Sequence, residues 1–316
     1  MSNPLRIAFM GTPDFAVCIA EAILASSHQL VGIVTVADKP AGRGQKVSES
    51  AVKQFAVANQ IPVLQPLKLK DPDFLAELAA WEADVFVVVA FRMLPKEVWA
   101  MPKKGTFNLH ASLLPLYRGA APINWAIING ETTTGVTSFF IDDKIDTGEM
   151  ILQKELAIGV NESAGSLHDR LAGLGAITVV ETLDAIANDQ VTTRPQDLVT
   201  EFKTAYKLNR ENTQIDWQAD GVTIHNLIRG LSPYPAAWTN WHQGEQTAAV
   251  KIYDATFEAD QVNDPIGTVL VGKKSLKVVV KDGYIHLHEL QLPGKKRLAA
   301  QAVINGLNSA ENLRVD

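Results

Sequence analysis

The chain has 316 residues, enough for two domains of ordinary size, and its 47% hydrophobic and 20% charged content supplies a sizeable core and excludes collagen, coiled-coil arrays and wholesale disorder. Lys and Arg number 29 against 35 Asp and Glu, a net charge of −6 that argues, as a whole-chain average, against a nucleic-acid partner. That average conceals an asymmetry: the first 200 residues hold 16 basic against 22 acidic side chains, whereas residues 201–316 are neutral at 13 against 13.

The chain begins with Leu5 to Phe9, a strand-forming run ahead of Gly11-Thr12-Pro13; Met1 to Met10 is too short for the apolar core of a secretion signal. Pro13 to Ser26 has helical spacing and carries the single cysteine, Cys18. No intrachain disulfide and no Cys-x-x-Cys metal site is then possible, and a reducing compartment is expected. Leu30 to Val36, Val85 to Ala90, Thr106 to His110 and Val136 to Ile141 continue the strand series. Ser48 to Asn59, Pro72 to Glu82, Pro122 to Asn129 and Ser163 to Ala187 continue the helical one. This alternation predicts an α/β fold with a doubly wound, mostly parallel sheet, a Rossmann variant, whose ligands bind outside the carboxyl ends of the strands. No run approaches the roughly 18 apolar residues of a membrane span, and a cytoplasmic protein is expected.

After Ala187 the periodicity stops. Residues 189–206, with Pro195, read as a linker between domains at 1–188 and 207–316. In the second domain one amphipathic helix, Val222 to Gly230, precedes five short alternating runs: Ala237 to Trp241, Thr247 to Tyr253, Gly267 to Val271, Leu276 to Val280 and Tyr284 to Leu290. Turn signals such as Gly272-Lys273-Lys274 and Asp282-Gly283 separate them, which predicts a small OB-like β-barrel. No surplus apolar stripe is evident, and a monomer is expected.

The turn after the first strand has only Gly11 where a dinucleotide fingerprint needs three glycines, and Pro13 removes an N–H that a phosphate would want. A P-loop is absent too, so dehydrogenase and NTPase chemistry are disfavoured and Asp38 reads as a loop residue. The strongest constellation is Asn108-Leu109-His110, because period 2 places the amide and the imidazole on one face at a strand's carboxyl end. An amide N–H stabilises a developing oxyanion and a neutral imidazole moves protons near pH 7. The same spacing also describes two polar residues capping a strand. A turn with Asp142, Asp143 and Asp146 could bring a carboxylate to His110, and spacing does not select among the three. His286-Leu287-His288 has no third ligand nearby, so no metal is expected. Trp217, Trp238 and Trp241 read as core.

Gly11-Thr12-Pro13-Asp14-Phe15-Ala16, Lys39-Pro40-Ala41-Gly42-Arg43-Gly44, Asn108 to Pro115, Arg118-Gly119-Ala120-Ala121-Pro122-Ile123 and Asp146-Thr147-Gly148 resemble, in order, the motifs of the methionyl-tRNA formyltransferase family. The resemblance extends to Ile215-Asp216-Trp217 and Pro293-Gly294-Lys295-Lys296 and so spans essentially the whole chain.

The resemblance implies an enzyme that transfers a formyl group from 10-formyltetrahydrofolate to the α-amino group of initiator methionyl-tRNA, without a metal. It assigns the catalytic roles to Asn108, His110 and Asp146, with Asp146 orienting His110 and relaying a proton. It places the folate beside Ser112, Leu113, Leu114 and Pro115 and along the loop from Ala90 and Phe91. There Phe91 to Pro95 is one residue shorter than the family's usual pattern and lacks its glycine, and Arg92 is expected to point to solvent. For the tRNA it points to Arg43 and Lys46 in the loop from Lys39 to Val47. Basic clusters of the barrel, Lys273-Lys274 and Lys295-Lys296-Arg297, add candidate phosphate contacts. Two alternatives share the fold: a formyltransferase acting on an amino sugar, and a non-catalytic RNA-binding protein. The tRNA loop and barrel count against the first, and the intact Asn108, His110 and Asp146 count against the second.

Overall fold

In the computed structural model, which describes residues 4–41, 46–196, 203–307 and 313–316, the alternating first half forms one seven-stranded sheet. Its strands are β1 (Arg6–Gly11), β2 (Gln29–Val34), β3 (Val63–Leu64), β4 (Val85–Val89), β5 (Thr106–His110), β6 (Thr133–Phe140) and β7 (Met150–Ala157). Their order is β7-β6-β5-β4-β1-β2-β3. Pairing is parallel from β3 through β1 to β5 and antiparallel between β5 and β6. Helices α1 (Asp14–Ala25), α2 (Ala51–Ala58) and α3 (Pro72–Ala80) make the crossovers.

Local chemistry fixes where these helices start. The Ser50 hydroxyl accepts from Lys53 N at 3.1 Å ahead of α2, and the Asp71 carboxylate accepts from Asp73 N at 3.0 Å ahead of α3, with Pro72 first in the helix. Period 2 then sorts the strands: Ala8 and Met10 of β1 and Phe86 and Val88 of β4 pack with Phe74 and Leu78 of α3. The chain leaves β1 toward β2 and β3 on one side and returns to β4 on the other. A crevice therefore opens beyond Gly11 and Val89, where ligands of such sheets bind. Asp38 is a structural residue here, paired with Lys53 and accepting from Gln65 Nε2 at 2.7 Å.

Further elements include α4 (Pro122–Ile128), α5 (Ala164–Ala187), α6 (Gly221–Leu231), β8 (Ala237–Gln243), β9 (Gln246–Ala259), β10 (Val269–Val271), β11 (Leu276–Val280), β12 (Gly283–Gln291), α7 (Ala300–Ile304) and β13 (Leu313–Val315). The strands pair in the order β10-β11-β12-β9-β8-β13, and a bridge between Thr268 and Arg314 brings the two ends together into a nearly closed antiparallel barrel. Two register shifts beside Asp254 bend the long β9 so that it serves both sides. Ile228, Val250, Ile252, Val278, Ile285 and Leu290 fill the interior together with Trp217 and Trp241. Trp238 is half-buried instead, with the Arg210 guanidinium 4.4 Å over its ring. His286 and His288 pair with Glu258 and Thr256 across the sheet, at 2.5 and 2.8 Å.

The chain divides into two compact units, Met1–Gly119 with Thr134–Leu156 and His168–Thr204, and Ala120–Thr133 with Ala157–Leu167 and Ala205–Asp316. Side chains of α4 and α6 explain why 120–133 and 157–167 belong to the second. Asn124 Nδ2 donates to Gly230 O at 2.8 Å, and Arg229 Nη1 donates to Glu162 O at 3.0 Å and Gly159 O at 3.3 Å. The stretch read as a linker docks on its neighbours: Arg194 and Met150 exchange backbone hydrogen bonds of 3.0 and 2.8 Å, and Tyr117 N donates to Lys203 O at 2.6 Å. Among the described residues no helix is long and apolar enough to cross a membrane.

His225 sits on α6 beside Arg229. Burial pushes its imidazole below the ordinary histidine range and the Arg229 charge adds to this, while Asp254 and the Ala255 carbonyl oppose it. An unfolded chain takes up this proton first, so the neutral imidazole contributes its full stability above about pH 6.5, and that contribution is lost as pH falls toward the folded value. The urea midpoint is expected to drop between pH 7.5 and 5.5, and His225→Gln to flatten the drop. Parallel curves for the two proteins would refute this.

Candidate active site

Asn108 and His110 stand on β5, the strand beside β4, with Asn108 paired in register to Val88 and Phe139 and His110 to Thr137. The expected strand spans Thr106 to His110, as it does in the fold, so the two side chains share a face at its carboxyl end. His110 is buried, and its Nε2 lies 2.8 Å from Tyr117 O. A carbonyl only accepts, so Nε2 carries the hydrogen and Nδ1 is left as the basic nitrogen of the neutral ring. That Nδ1 lies 3.8 Å from Asp146 Oδ2, an ion-pair distance too long for a direct hydrogen bond. Asn108 is half-buried, and among the described residues its amide makes no hydrogen bond.

Structure separates the three aspartates that spacing leaves equivalent. Asp142 turns into its own loop, accepting from Lys144 N at 2.9 Å and from Thr147 Oγ1 at 2.8 Å. Asp143 is exposed. Asp146 alone faces His110, held by Gly119 N, which donates to its Oδ2 at 3.0 Å. Asp146 adopts φ +53, a left-handed conformation that costs a non-glycine residue about 1–2 kcal/mol and persists only where its surroundings fix it. Residues 117 to 119 act as a jig: Tyr117 O holds the imidazole and Gly119 N holds the carboxylate. No sequence signal marks those two backbone groups.

The other expected residues divide by direction. Ser112 is fully buried and its hydroxyl donates to Leu116 O at 2.7 Å; Leu114 is buried with Phe139 and Met150. Leu113 and Pro115 are half-buried, and Gln153 Nε2 secures Leu114 O at 2.9 Å and Thr137 Oγ1 at 3.0 Å. What this turn offers a ligand is therefore its backbone and the faces of Leu113 and Pro115. Ala90, at φ +48, is exposed just beyond β4, and Phe91 is half-buried against the core under Arg92, 5.6 Å away.

Arg92 departs from its expected place in solvent. Its guanidinium folds back, donating to Leu67 O at 3.1 Å and to Pro66 O, and burial lowers its pKa. The arginine thereby ties the loop after β4 to the Pro66–Leu67 backbone. In the segment from Lys39 to Val47, Lys39–Ala41 pairs with Lys46–Ser48 as a small ribbon. Arg43 and the Lys46 side chain lie outside the described residues.

A groove of about 1220 Å³ on the barrel, lined by residues such as Trp217, Val269 and Leu313, contains none of the expected site residues. Among the described residues no group of three His, Cys, Asp or Glu side chains is arranged to hold a metal.

Comparison with known proteins identifies the family. Residues 5–183 match the formyl transferase family and residues 207–308 the formyl transferase C-terminal domain. A methionyl-tRNA formyltransferase of Flavobacterium johnsoniae is 57% identical over 311 residues, covering 98% of this chain and 99% of that one. One of Bacteroides thetaiotaomicron is 48% identical over 319 residues, covering 99% and 98%. Among solved structures, a sugar 3N-formyl transferase crystallised in the presence of dTDP and 5-N-formyl-THF shares the fold at a TM-score of 0.65 and 21% identity, covering 93% of this chain and 100% of that one.

Proposed function

The chain belongs to the methionyl-tRNA formyltransferase family, and on that premise we propose that it transfers the formyl group of 10-formyltetrahydrofolate to the α-amino group of initiator methionyl-tRNA, yielding N-formylmethionyl-tRNA for the start of translation. The observation that carries the chemistry is the His110–Asp146 pair. Nδ1 of His110 and Oδ2 of Asp146, 3.8 Å apart, are two proton acceptors on one side of a ring whose other nitrogen is already committed. A pair of that kind takes the proton from an incoming ammonium and frees its nitrogen for attack. The Asn108 amide, on the same strand face, donates to the oxygen on which negative charge builds at the formyl carbon. As the attacking nitrogen gives up its second proton through Asp146 to solvent, the bond from the formyl carbon to N10 breaks, the proton held at Nδ1 goes to the departing N10, and tetrahydrofolate leaves.

The folate site fits the residues at the crevice beyond β1 and β4. We place the pterin end against the backbone of Ala90 and of Ser112 to Pro115, with Leu113 and Phe91 as apolar walls. Asn108, with no partner among the described residues, is the polar group waiting at that edge. On the tRNA side the contacts are Arg43 and Lys46, with basic residues of the barrel following phosphates. An arginine forks onto phosphate or a base edge where a lysine offers only a point charge.

The test offers formyl-labelled 10-formyltetrahydrofolate and a panel of acceptors: charged initiator tRNA, charged elongator tRNA and nucleotide-linked amino sugars. Label on initiator methionyl-tRNA, at least tenfold faster than on the others, is the expected result. Label on the sugars alone would replace the proposed acceptor, and tRNA binding without transfer to anything would leave a non-catalytic protein.

A further inference from the structure

We propose that Gln196 is a positioning residue for Asp146, an inference that rests on the formyl-transfer reading of the site. Gln196 lies in the stretch that the sequence presents as an interdomain linker, 50 positions from the carboxylate it serves. Its side chain is half-buried and uses both ends of the amide. Nε2 donates to Asp146 O and to Gly148 O, each at 2.9 Å, while Oε1 accepts from Arg118 Nε at 3.0 Å and from Arg118 Nη2 at 2.5 Å. Only this orientation of the amide works, because carbonyls need a donor and a guanidinium needs an acceptor.

The bonds form a closed ring. Arg118 is followed in the chain by Gly119, whose N–H holds the Asp146 carboxylate; the Asp146 carbonyl returns to Gln196, and Gln196 returns to Arg118. Residue 117, one step earlier, holds His110. Gln196 thus ties the turn that carries Asp146 to the same tripeptide that sets the imidazole. Without it the turn that carries the left-handed Asp146 loses the bonds to two of its carbonyls, at 146 and at 148, and keeps the Gly119 N–H on the carboxylate and the bonds to Asp142 within the turn. No other residue type makes the full set of bonds, since glutamate lacks the donors, lysine and arginine lack the acceptor, and asparagine falls short by a methylene.

Gln196→Glu separates the two ends of the amide, since it retains an acceptor for Arg118 and loses both donors to the Asp146 turn. Gln196→Ala loses both. For each variant we expect kcat for formylation of methionyl-tRNA to fall about tenfold or more with both KM values within about threefold, and the acid limb of the kcat–pH profile to move. Gln196→Glu should do this with its thermal midpoint unchanged. Hydrogen–deuterium exchange read on the peptide covering residues 142–150 should accelerate in both variants. Wild-type kcat and wild-type exchange would overturn the inference, as would a loss of kcat that follows thermal stability with the pH profile unmoved. If the wild-type protein formylates no tRNA, the reading of the function has failed, and the exchange measurement still decides whether Gln196 holds the turn.

Discussion

Replacing His110 by alanine is expected to lower kcat for formyl transfer by about 10²-fold or more while the protein stays folded, and Asn108→Ala to do the same by a different route. His110 is the only group in the cluster with a basic nitrogen directed at a carboxylate. Its removal leaves Asp146 alone to take the proton of the amine, and a lone carboxylate is a weak base near neutral pH. Asn108→Ala leaves that relay intact and removes the donor to the oxyanion, a loss of about 3–4 kcal/mol in transition-state stabilisation where such donors have been removed. The distinction is measurable as pH dependence: the Asn108 variant keeps the shape of the wild-type kcat–pH profile, and the His110 variant does not. Turnover near wild type in either protein would remove that residue from the mechanism.

Gly148→Ala is expected to cost both activity and stability, because an added Cβ would stand 1.7 Å from the carbonyl oxygen of Phe140. That neighbour is backbone and part of β6, so it has no rotamer with which to withdraw. The turn from Asp142 to Gly148 must move instead, taking the Asp146 carboxylate away from Gly119 N and His110 Nδ1. Overpacking of this kind destabilises by about 1–3 kcal/mol or more, and a displacement of about 1 Å at a reacting group costs about 10²-fold in rate. Differential scanning calorimetry and kcat measured on the same preparation check both parts. A fully active, wild-type-stable Gly148→Ala protein would show that the turn is not fixed as described.

The sheet and barrel were readable from the sequence wherever periodicity was long and the face buried. Thr106 to His110 and Leu276 to Val280 match their strands end to end, because each is bounded by turn residues and packs into a core. The elements that escaped notice are the short and the exposed. Met150–Ala157 carries Lys154 and Glu155 on a largely half-exposed edge, and Leu313–Val315 is only three residues long. At the site, period 2 placed Asn108 and His110 on one face but equally described two polar residues capping a strand, and choosing Asp146 needed a resemblance. Its distinguishing features are a left-handed φ at a non-glycine residue and a bond to the N–H of Gly119, 27 positions away, and neither leaves a mark in composition. Arg92 illustrates the opposite error. A charged residue in a loop reads as solvated, but backbone carbonyls at Pro66 and Leu67 gave its guanidinium acceptors that no local pattern announces.

The central claim is that His110 and Asp146 act as one proton-transfer unit in formyl transfer to methionyl-tRNA. A double-mutant cycle in single-turnover formylation tests it most directly, comparing wild type, His110→Ala, Asp146→Ala and the double variant with saturating folate and tRNA. Residues that act as a unit give non-additive losses. The account predicts that each single variant loses about 10²-fold or more and that the double variant is slower than the worse single by no more than a few fold. Losses that multiply, giving a double variant slower by the product of the two, would contradict it.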